Sequence, residues 1–264
     1  ALPISYMVSI VDSNGCTGST SQTIGEPSML NVTISIQTDV TCMGDADGTV
    51  AGLGSGGTSP YTFLWNDPSA QTTQIATGLS AGSYTLTLED SLGCTDTVSV
   101  TIVEPTSITL SVIPINANCG QSDGTATVTA TGGNGLYAYL WDDPAAQVTA
   151  TATGLPAGNY AVIVTDILGC INNISVTVGD NPAGTATIAS TIDVNCSGGS
   201  DGGATVSMSG GTLPYTYLWD DAGAGTNSSV NGLPAGVINV TVTDSNGCAV
   251  TLGSTINEPL ALGS

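Results

Sequence analysis

The sequence lacks lysine, arginine and histidine altogether, whereas 21 of its 264 residues are aspartate or glutamate. Without an imidazole, the serine–histidine and cysteine–histidine pairs that activate many nucleophiles cannot be assembled from this chain. The absence of cationic side chains also excludes histidine-containing zinc sites and any affinity that rests on cations meeting phosphates. We therefore expect a protein that is not an enzyme and that binds no nucleic acid.

Long apolar runs are missing too, because no stretch approaches the roughly 20 residues that a membrane-spanning helix needs. No basic segment followed by an apolar one stands at the start, so no signal peptide is expected, and Ala1 is expected to lie inside a longer protein. At a net charge of −21 the chain should be repelled by anionic membrane surfaces. These features predict no direct insertion into a membrane.

Glycine and proline are frequent, at 35 and 12 residues, and threonine, serine and valine fill the stretches between them. Because β-branched residues favour strands while glycine and proline favour turns, this mixture indicates an all-β protein. Charged residues make up only 8% and hydrophobic residues 41% of the chain, which is not the composition of a charged disordered tail.

The sequence is a repeat array. An Asp-x-x-Gly-Cys segment recurs with its cysteines at intervals of 78, 76 and 78 residues, and a second cysteine series recurs every 77 residues. A Glu-Pro or Asn-Pro dipeptide ends each repeat, at Pro27, Pro105, Pro182 and Pro259. These spacings predict a partial repeat, three full repeats of about 77 residues and the start of another, over 1–27, 28–105, 106–182, 183–259 and 260–264.

Within a repeat, apolar residues alternate over short segments that are separated by glycine-rich turns, as expected for strands. Six or seven such strands in each repeat predict tandem immunoglobulin-like β-sandwiches. Trp141, on a middle strand, is expected to be the central core residue of its repeat. Tyr160, just after a Gly-Leu-Pro-Ala-Gly corner, is expected to occupy a tyrosine-corner position.

Five motifs follow one another in fixed order, and together they resemble the SprB-type repeat. They are Cys-x-Gly-x-x-Asp-Gly, Gly-Gly-x-x-Pro-Tyr-x-Tyr-x-Trp, Gly-Leu-Pro-Ala-Gly-x-Tyr, Val-Thr-Asp-x-x-Gly-Cys and Glu-Pro. The family occurs in very large cell-surface adhesins of gliding and other Bacteroidota-type bacteria. The resemblance implies export by the type IX route and extracellular display as filaments used in adhesion and gliding motility. It carries over no catalytic residue.

Seven cysteines in an exported protein indicate disulfides, because single cysteines without Cys-x-x-Cys pairs do not suggest metal. Two pairings are self-consistent. Pairing within a repeat joins 42–94, 119–170 and 196–248. Pairing across boundaries is favoured, because a chain reversal at Glu104-Pro105 would bring Cys94 and Cys119 together at the open end of a hairpin. It joins Cys16 to Cys42, Cys94 to Cys119 and Cys170 to Cys196, and leaves Cys248 for a partner downstream, whereas pairing within a repeat leaves Cys16 for a partner upstream.

The carboxylates have no cationic side chain to pair with, so a buried one must be satisfied by N–H groups, hydroxyls or a bound cation. One interpretation is that each aspartate caps its own tight turn. The alternative is calcium, which collects oxygens from carboxylates and carbonyls. The candidate ligands recur before the hairpin turn and before a glycine, at Asp12, Asp90, Asp166 and Asp244 and at Asp47, Asp123 and Asp201.

These features predict a fragment of a secreted, filamentous adhesin whose repeats form a stalk and offer many weak contacts. The expected partners are neighbouring repeats of the same chain and surface polysaccharide or other fibres. A self-assembling structural fibre or sheath is the alternative, and a carbohydrate-binding accessory module is a third interpretation.

Overall fold

A computed structural model describes residues 4–261 of the chain. Every regular element in this range is a β-strand, which confirms the all-β class. The ends of the predicted partial repeat at 1–27 and of the repeat start at 260–264 include residues 1–3 and 262–264, which lie outside the described residues. None of the described residues forms a helix of the length and apolar character needed to cross a membrane.

The strands recur in the same order along the chain. An initial hairpin comprises β1 (Ile4–Val11) and β2 (Thr17–Ile24). The next set is β3 (Asn31–Thr38), β4 (Gly48–Ser55), β5 (Thr62–Trp65), β6 (Ile75–Leu79), β7 (Gly82–Glu89) and β8 (Thr95–Ile102). The following set is β9 (Thr109–Ile115), β10 (Ala117–Asn118), β11 (Gly124–Thr131), β12 (Ala138–Trp141), β13 (Thr151–Leu155), β14 (Gly158–Thr165), β15 (Ile171–Val178) and β16 (Asp180–Asn181). The last set is β17 (Thr185–Ile192), β18 (Gly202–Ser209), β19 (Thr216–Trp219), β20 (Ser229–Leu233), β21 (Gly236–Thr243) and β22 (Ala249–Ile256).

Each set of strands forms two three-stranded antiparallel sheets. The orders are β3-β4-β6 with β5-β7-β8, β9-β11-β13 with β12-β14-β15, and β17-β18-β20 with β19-β21-β22. The first strand of one sheet contacts the last strand of the other, as β3 contacts β8. β10 and β16 add a short parallel pair. Two facing sheets of this kind form the predicted immunoglobulin-like sandwich.

The contacts divide the chain into two compact units. Unit 1 comprises Ala1–Ser107, Gly132–Gly135 and Leu168–Cys170, and unit 2 comprises Ile108–Thr131, Leu136–Ile167 and Ile171–Ser264. Unit 1 thus includes two loops from the predicted second repeat. The predicted boundaries at 105, 182 and 259 remain predictions.

The core of unit 1 is built around Trp65, whose side chain is 1% exposed. Strand β7 alternates so that Tyr84, Leu86 and Leu88 face this core. The Tyr84 hydroxyl donates a hydrogen bond to the Ser80 carbonyl at 2.9 Å, which ties the strand to the corner before it. Period-two alternation in the sequence therefore places the apolar face correctly.

Unit 2 repeats this arrangement twice. Trp141 and Trp219 are each 1% exposed, which confirms the expected central core position of Trp141. Tyr160 donates to the Pro156 carbonyl at 2.9 Å, in the corner geometry that was expected. The last set of strands has Ile238 at the equivalent position, where it is buried in the core without a hydroxyl.

Gly52 marks where the first sandwich fills its core differently from the others. The positions equivalent to Gly52 and Leu86 are Val128 and Val162 in the second set of strands, and Val206 and Val240 in the third. A Cβ atom added at Gly52 would collide with Cδ2 of Leu86. The larger leucine therefore occupies the space that a valine side chain takes in the other sandwiches.

We expect Gly52→Val to lower the free energy of unfolding of the first sandwich by about 1–3 kcal/mol, because it overpacks a filled core. Adding Leu86→Val should restore most of this loss, because the pair then matches Val128 and Val162. A double-mutant cycle with Leu86→Val alone, followed by chemical denaturation, measures the coupling. Additive effects of the two substitutions would contradict this account.

Candidate functional site: the cysteine loops

The cysteines lie in two kinds of loop. A first cysteine loop joins the first two strands of each sandwich and carries Cys42, Cys119 or Cys196. A second cysteine loop is the hairpin turn between the last two strands, where the Asp-x-x-Gly-Cys segment ends at Cys16, Cys94, Cys170 or Cys248.

The second cysteine loop is shaped by its aspartate. Oδ1 of Asp90 accepts hydrogen bonds from the N–H groups of Leu92 and Cys94, both at 2.9 Å, and the Asp90 N–H donates to the Cys94 carbonyl. Asp244 holds Cys248 through the same contacts. In the initial hairpin, Asp12 accepts from Cys16 at 2.8 Å. The carboxylate thus holds the N–H of the cysteine, and the aspartate's own N–H holds the cysteine carbonyl.

The second carboxylate oxygen links this turn to a glycine-rich turn in the same sandwich. Oδ2 of Asp90 accepts from the Thr58 N–H, and Oδ2 of Asp244 accepts from the Thr212 N–H, both at 2.9 Å. The hydrogen bond from the Cys94 N–H outweighs burial and lowers the pKa of Asp90. The Thr212 N–H is the main cause of the lowered pKa of Asp244.

The first cysteine loop is closed by another aspartate, which accepts a hydrogen bond from the residue before the cysteine. Asp47 accepts from the Thr41 N–H at 3.0 Å, and Asp123 accepts from the Asn118 N–H at 2.8 Å. Asp201 accepts from the Asn195 N–H at 3.1 Å. Hydrogen bonds from these partners lower the pKa of all three carboxyls.

A further carboxylate, which is not among the predicted ligands, also binds the first cysteine loop. Glu104 accepts from the Gly44 N–H at 2.7 Å, and Glu258 accepts from the Gly198 N–H at 2.6 Å. In the second sandwich Asp180 accepts from the Gly120 N–H at 2.9 Å. The recurring Glu-Pro dipeptides were the signal that could have revealed this contact.

The disulfides join cysteines of successive repeats. Within unit 1, Cys42 is bonded to Cys170, with a Cα–Cα distance of 5.6 Å and a sequence separation of 128 residues. Within unit 2, Cys119 is bonded to Cys248, at 5.4 Å and a separation of 129 residues. In both bonds, a first cysteine loop is therefore joined to the second cysteine loop of the next predicted repeat.

Both predicted pairings are wrong. The favoured pairing of Cys16 with Cys42, Cys94 with Cys119 and Cys170 with Cys196 required a hairpin at Glu104-Pro105. The strands on either side do not form one, because β8 pairs with β7 and β9 pairs with β11. The alternative pairs 42–94, 119–170 and 196–248 fail too, because Cys170 and Cys248 are bonded to cysteines of the preceding repeat. Cys16, Cys94 and Cys196 are free and exposed.

The hydrogen bonds of Asp12, Asp90, Asp244, Asp47, Asp123 and Asp201 are those of the turn-capping interpretation. Asp166 is buried in the equivalent turn. Among residues 4–261, no three side chains of the types that bind metals come together in a group that could hold an ion. The calcium alternative therefore gains no support from the geometry, because these carboxylates accept backbone N–H groups.

We expect the melting temperature to be the same in millimolar calcium and in excess chelator. A site with a Kd of about 10 µM would add about 2.7 kcal/mol at 1 mM calcium, because only the folded chain would bind the ion. That amounts to a shift of roughly 5–10 °C for a protein of this size. Differential scanning calorimetry with and without chelator measures it, and a shift of several degrees would reinstate calcium.

We expect the stability to depend on pH through the turn-capping aspartates. A carboxyl with a lowered pKa in the fold stabilises it fully above the unfolded pKa of about 4, and this contribution is lost as pH falls through the folded pKa. The melting temperature should therefore be level from pH 8 to 5 and fall below about pH 4. Relief of repulsion among 21 acidic side chains alone predicts the opposite, a rise on acidification. Asp90→Asn should make the fall in the first sandwich smaller.

The SprB repeat family model matches three segments of the chain, at residues 34–70, 107–146 and 181–224. Each segment contains one first cysteine loop and one buried tryptophan. A search of curated protein sequences finds no significant match.

Solved structures with a similar arrangement include the three N-terminal domains of the Highly Immunogenic Outer Capsid protein of bacteriophage RB49. They are 13% identical, with 88% of this chain and 100% of that chain covered and a TM-score of 0.43. A Ca2+-stabilized adhesin of an Antarctic bacterium that binds ice is 18% identical, with 96% and 80% covered and a TM-score of 0.40. A tetra-tandem repeat from the extending region of a large adhesion protein is 15% identical, with 97% and 82% covered and a TM-score of 0.35. At these identities and scores, the likeness carries no information about function.

Proposed function

We propose that this chain, a tandem array of SprB-type repeats, is a segment of the stalk of an extracellular adhesin on a bacterial surface. The stalk carries a binding region away from the cell, and its repeats add many weak contacts of their own. Such contacts combine through effective concentration, so that no single repeat needs a tight binding site.

The observation that carries this proposal is the pair of disulfides between successive repeats. Disulfides form and persist in oxidising compartments, and they are rare in the cytosol, where thiols are kept reduced. A chain stabilised in this way suits an exported protein. The disulfides join loops that every predicted full repeat possesses, so the arrangement can continue along a long array.

The surface charge supports the same role. With no cationic side chain and a net charge of −21, every segment of the array is acidic. Like charge keeps neighbouring fibres apart and keeps them from collapsing onto anionic cell surfaces. The chain also offers no lysine or arginine to trypsin-like proteases. We propose a role without catalysis, because the histidine that activates serine and cysteine nucleophiles in many enzymes is missing.

The finer role that we propose is attachment and gliding motility, after export by the type IX route, with surface polysaccharide or other fibres as the target. Antibodies raised against residues 4–261 provide the test. They should label unpermeabilised cells of the producing bacterium and reduce their attachment and gliding. Labelling only after permeabilisation would overturn the extracellular location, and surface labelling without loss of attachment would overturn the adhesive role.

A self-assembling fibre or sheath is the second candidate. In that role the repeats form the structural lattice, through lateral contacts at strand edges. Electron microscopy of the purified protein distinguishes the two roles, because a stalk gives single threads and a lattice gives ordered bundles or tubes.

A further inference from the structure

Three cysteines are free, and they belong to the same two kinds of loop as the bonded ones. Cys16 and Cys94 lie in second cysteine loops, and Cys196 lies in a first cysteine loop. In the two disulfides, a first cysteine loop always bonds to the second cysteine loop of the following repeat.

Cys94 is held in the same way as Cys248, which is bonded. In both loops the cysteine N–H donates to Oδ1 of the preceding aspartate at 2.9 Å. In both, the aspartate N–H donates to the cysteine carbonyl, at 2.9 Å for Asp90 and 3.0 Å for Asp244. The difference is in burial, because Cys248 is 1% exposed whereas Cys94 is exposed. The loop therefore has its bonded shape without a partner cysteine.

Cys196 is held in the same way as Cys42. The residue before each cysteine donates its N–H to an aspartate, at 3.1 Å for Asp201 and 3.0 Å for Asp47. The glycine two residues after each cysteine donates its N–H to a glutamate, at 2.6 Å for Glu258 and 2.7 Å for Glu104. This loop too has its bonded shape.

Open grooves lie beside both free cysteines. Residues from Asn195 to Ser197 and from Pro259 to Ala261 line the groove at Cys196, where the Leu260 side chain is 95% exposed. The groove at Cys94 is lined by Met29 and Leu92, which are 89% and 66% exposed. Each groove thus combines a thiol with exposed apolar side chains.

We propose that these grooves are docking surfaces for an adjoining SprB-type repeat, and that the disulfide connection continues through them. Cys196 receives the second cysteine loop of a repeat that follows it. Cys94 receives the first cysteine loop of a repeat that precedes it, and Cys16 belongs to the same class as Cys94. The occupant is identified by the disulfides at the equivalent loops, Cys42–Cys170 and Cys119–Cys248. This inference does not depend on the adhesive role.

The bond forms by thiol–disulfide exchange with a disulfide oxidant such as oxidised glutathione. The Cys196 thiolate attacks one sulfur of the oxidant and releases one thiol, which leaves a mixed disulfide on Cys196. The thiolate of the incoming cysteine then attacks the Cys196 sulfur and releases the second thiol. Two protein thiols lose two electrons, and one disulfide oxidant becomes two thiols.

The test is a longer chain in which residues 1–259 are followed by a second copy of residues 183–264. The new junction places Ala183 after Pro259, as Ala183 follows Pro182 in the protein itself. After refolding with oxidised and reduced glutathione, the protein is digested with an acidic-residue protease under non-reducing conditions. We expect a peptide that joins Cys196 to the appended copy of Cys248, in a monomeric product, with Cys42–Cys170 and Cys119–Cys248 intact.

A second longer chain, with a copy of residues 106–182 appended instead, guards against misfolding of one appended repeat. Here Cys196 should bond to the appended copy of Cys170. If Cys196 stays free in both chains while the two original disulfides form, the proposal is wrong. A bond from Cys196 to a cysteine of a second molecule, seen as a covalent dimer, would also overturn it. Replacing the appended copy of Cys248, or of Cys170 in the second chain, by serine should leave Cys196 fully reactive to alkylation.

Discussion

Replacing both Cys42 and Cys170 by serine is expected to lower the free energy of unfolding by about 5 kcal/mol. The disulfide closes a loop with a sequence separation of 128 residues. In the chain-entropy model, removing a bond that closes a loop of this length raises the conformational entropy of the unfolded chain by an amount equivalent to about 5 kcal/mol. Both side chains are only partly buried, so the serines leave no unsatisfied polar group in the core. Hydrogen exchange resolved by strand measures the loss in each unit separately.

The free cysteines supply the matched control. Cys94 lies in the same kind of loop as Cys170, and Cys196 lies in the same kind of loop as Cys42, but neither is bonded. Replacing both by serine should change the free energy of unfolding by less than about 0.5 kcal/mol, as at ordinary surface positions. Equal effects of the two double substitutions would show that the bond itself contributes nothing.

Trp65→Ala is expected to lower the free energy of unfolding of the first sandwich by about 3–5 kcal/mol. The indole is 1% exposed within the core cluster of unit 1, and its Nε1–H donates to the Thr73 carbonyl at 3.1 Å. Removing it leaves a large cavity and an unpaired carbonyl. Hydrogen exchange of the β7 amides measures the effect, since β7 crosses this core.

Leu64→Ala is the matched control, because Leu64 precedes Trp65 on the same strand and its side chain is 49% exposed. Alternation along β5 directs the two side chains to opposite faces of the sheet. We expect Leu64→Ala to lower the free energy of unfolding by well under half as much as Trp65→Ala does. A similar loss from both would mean that β5, and not the core, is the sensitive element.

The fold could be predicted from the sequence because its signals are local. Alternation over β7 and the position of Trp141 report burial directly, since one face of each strand packs against the opposite sheet. The glycine-rich turns that separate the strands can likewise be recognised from a few neighbouring residues. Ile238, which stands where Tyr84 and Tyr160 stand in the other sandwiches, shows that the corner can fold without its hydroxyl.

The disulfide pairing could not be predicted, for a reason inherent in repeats. When two series of cysteines recur with one period, pairing within a repeat, across a boundary or to the next repeat gives equally regular spacings. Local geometry then decides, and the assumed reversal at Glu104-Pro105 was wrong because β8 and β9 each pair within their own sheets. The roles of the aspartates were better determined, since an Asx turn needs only neighbouring residues.

The overlap of the two disulfides also limits how far the polypeptide could be drawn out under tension. The bonds Cys42–Cys170 and Cys119–Cys248 overlap along the chain. A covalent path from one end to the other can therefore cross one or both disulfides instead of following the backbone between the bonded cysteines. The shortest path crosses both bonds and follows the backbone between Cys119 and Cys170, so even a fully unfolded chain would reach only about two-fifths of the length that its backbone allows, at roughly 3.3–3.6 Å per residue. A tether built in this way becomes taut early, and it remains in one piece when its backbone is cut once between the two ends of a bond.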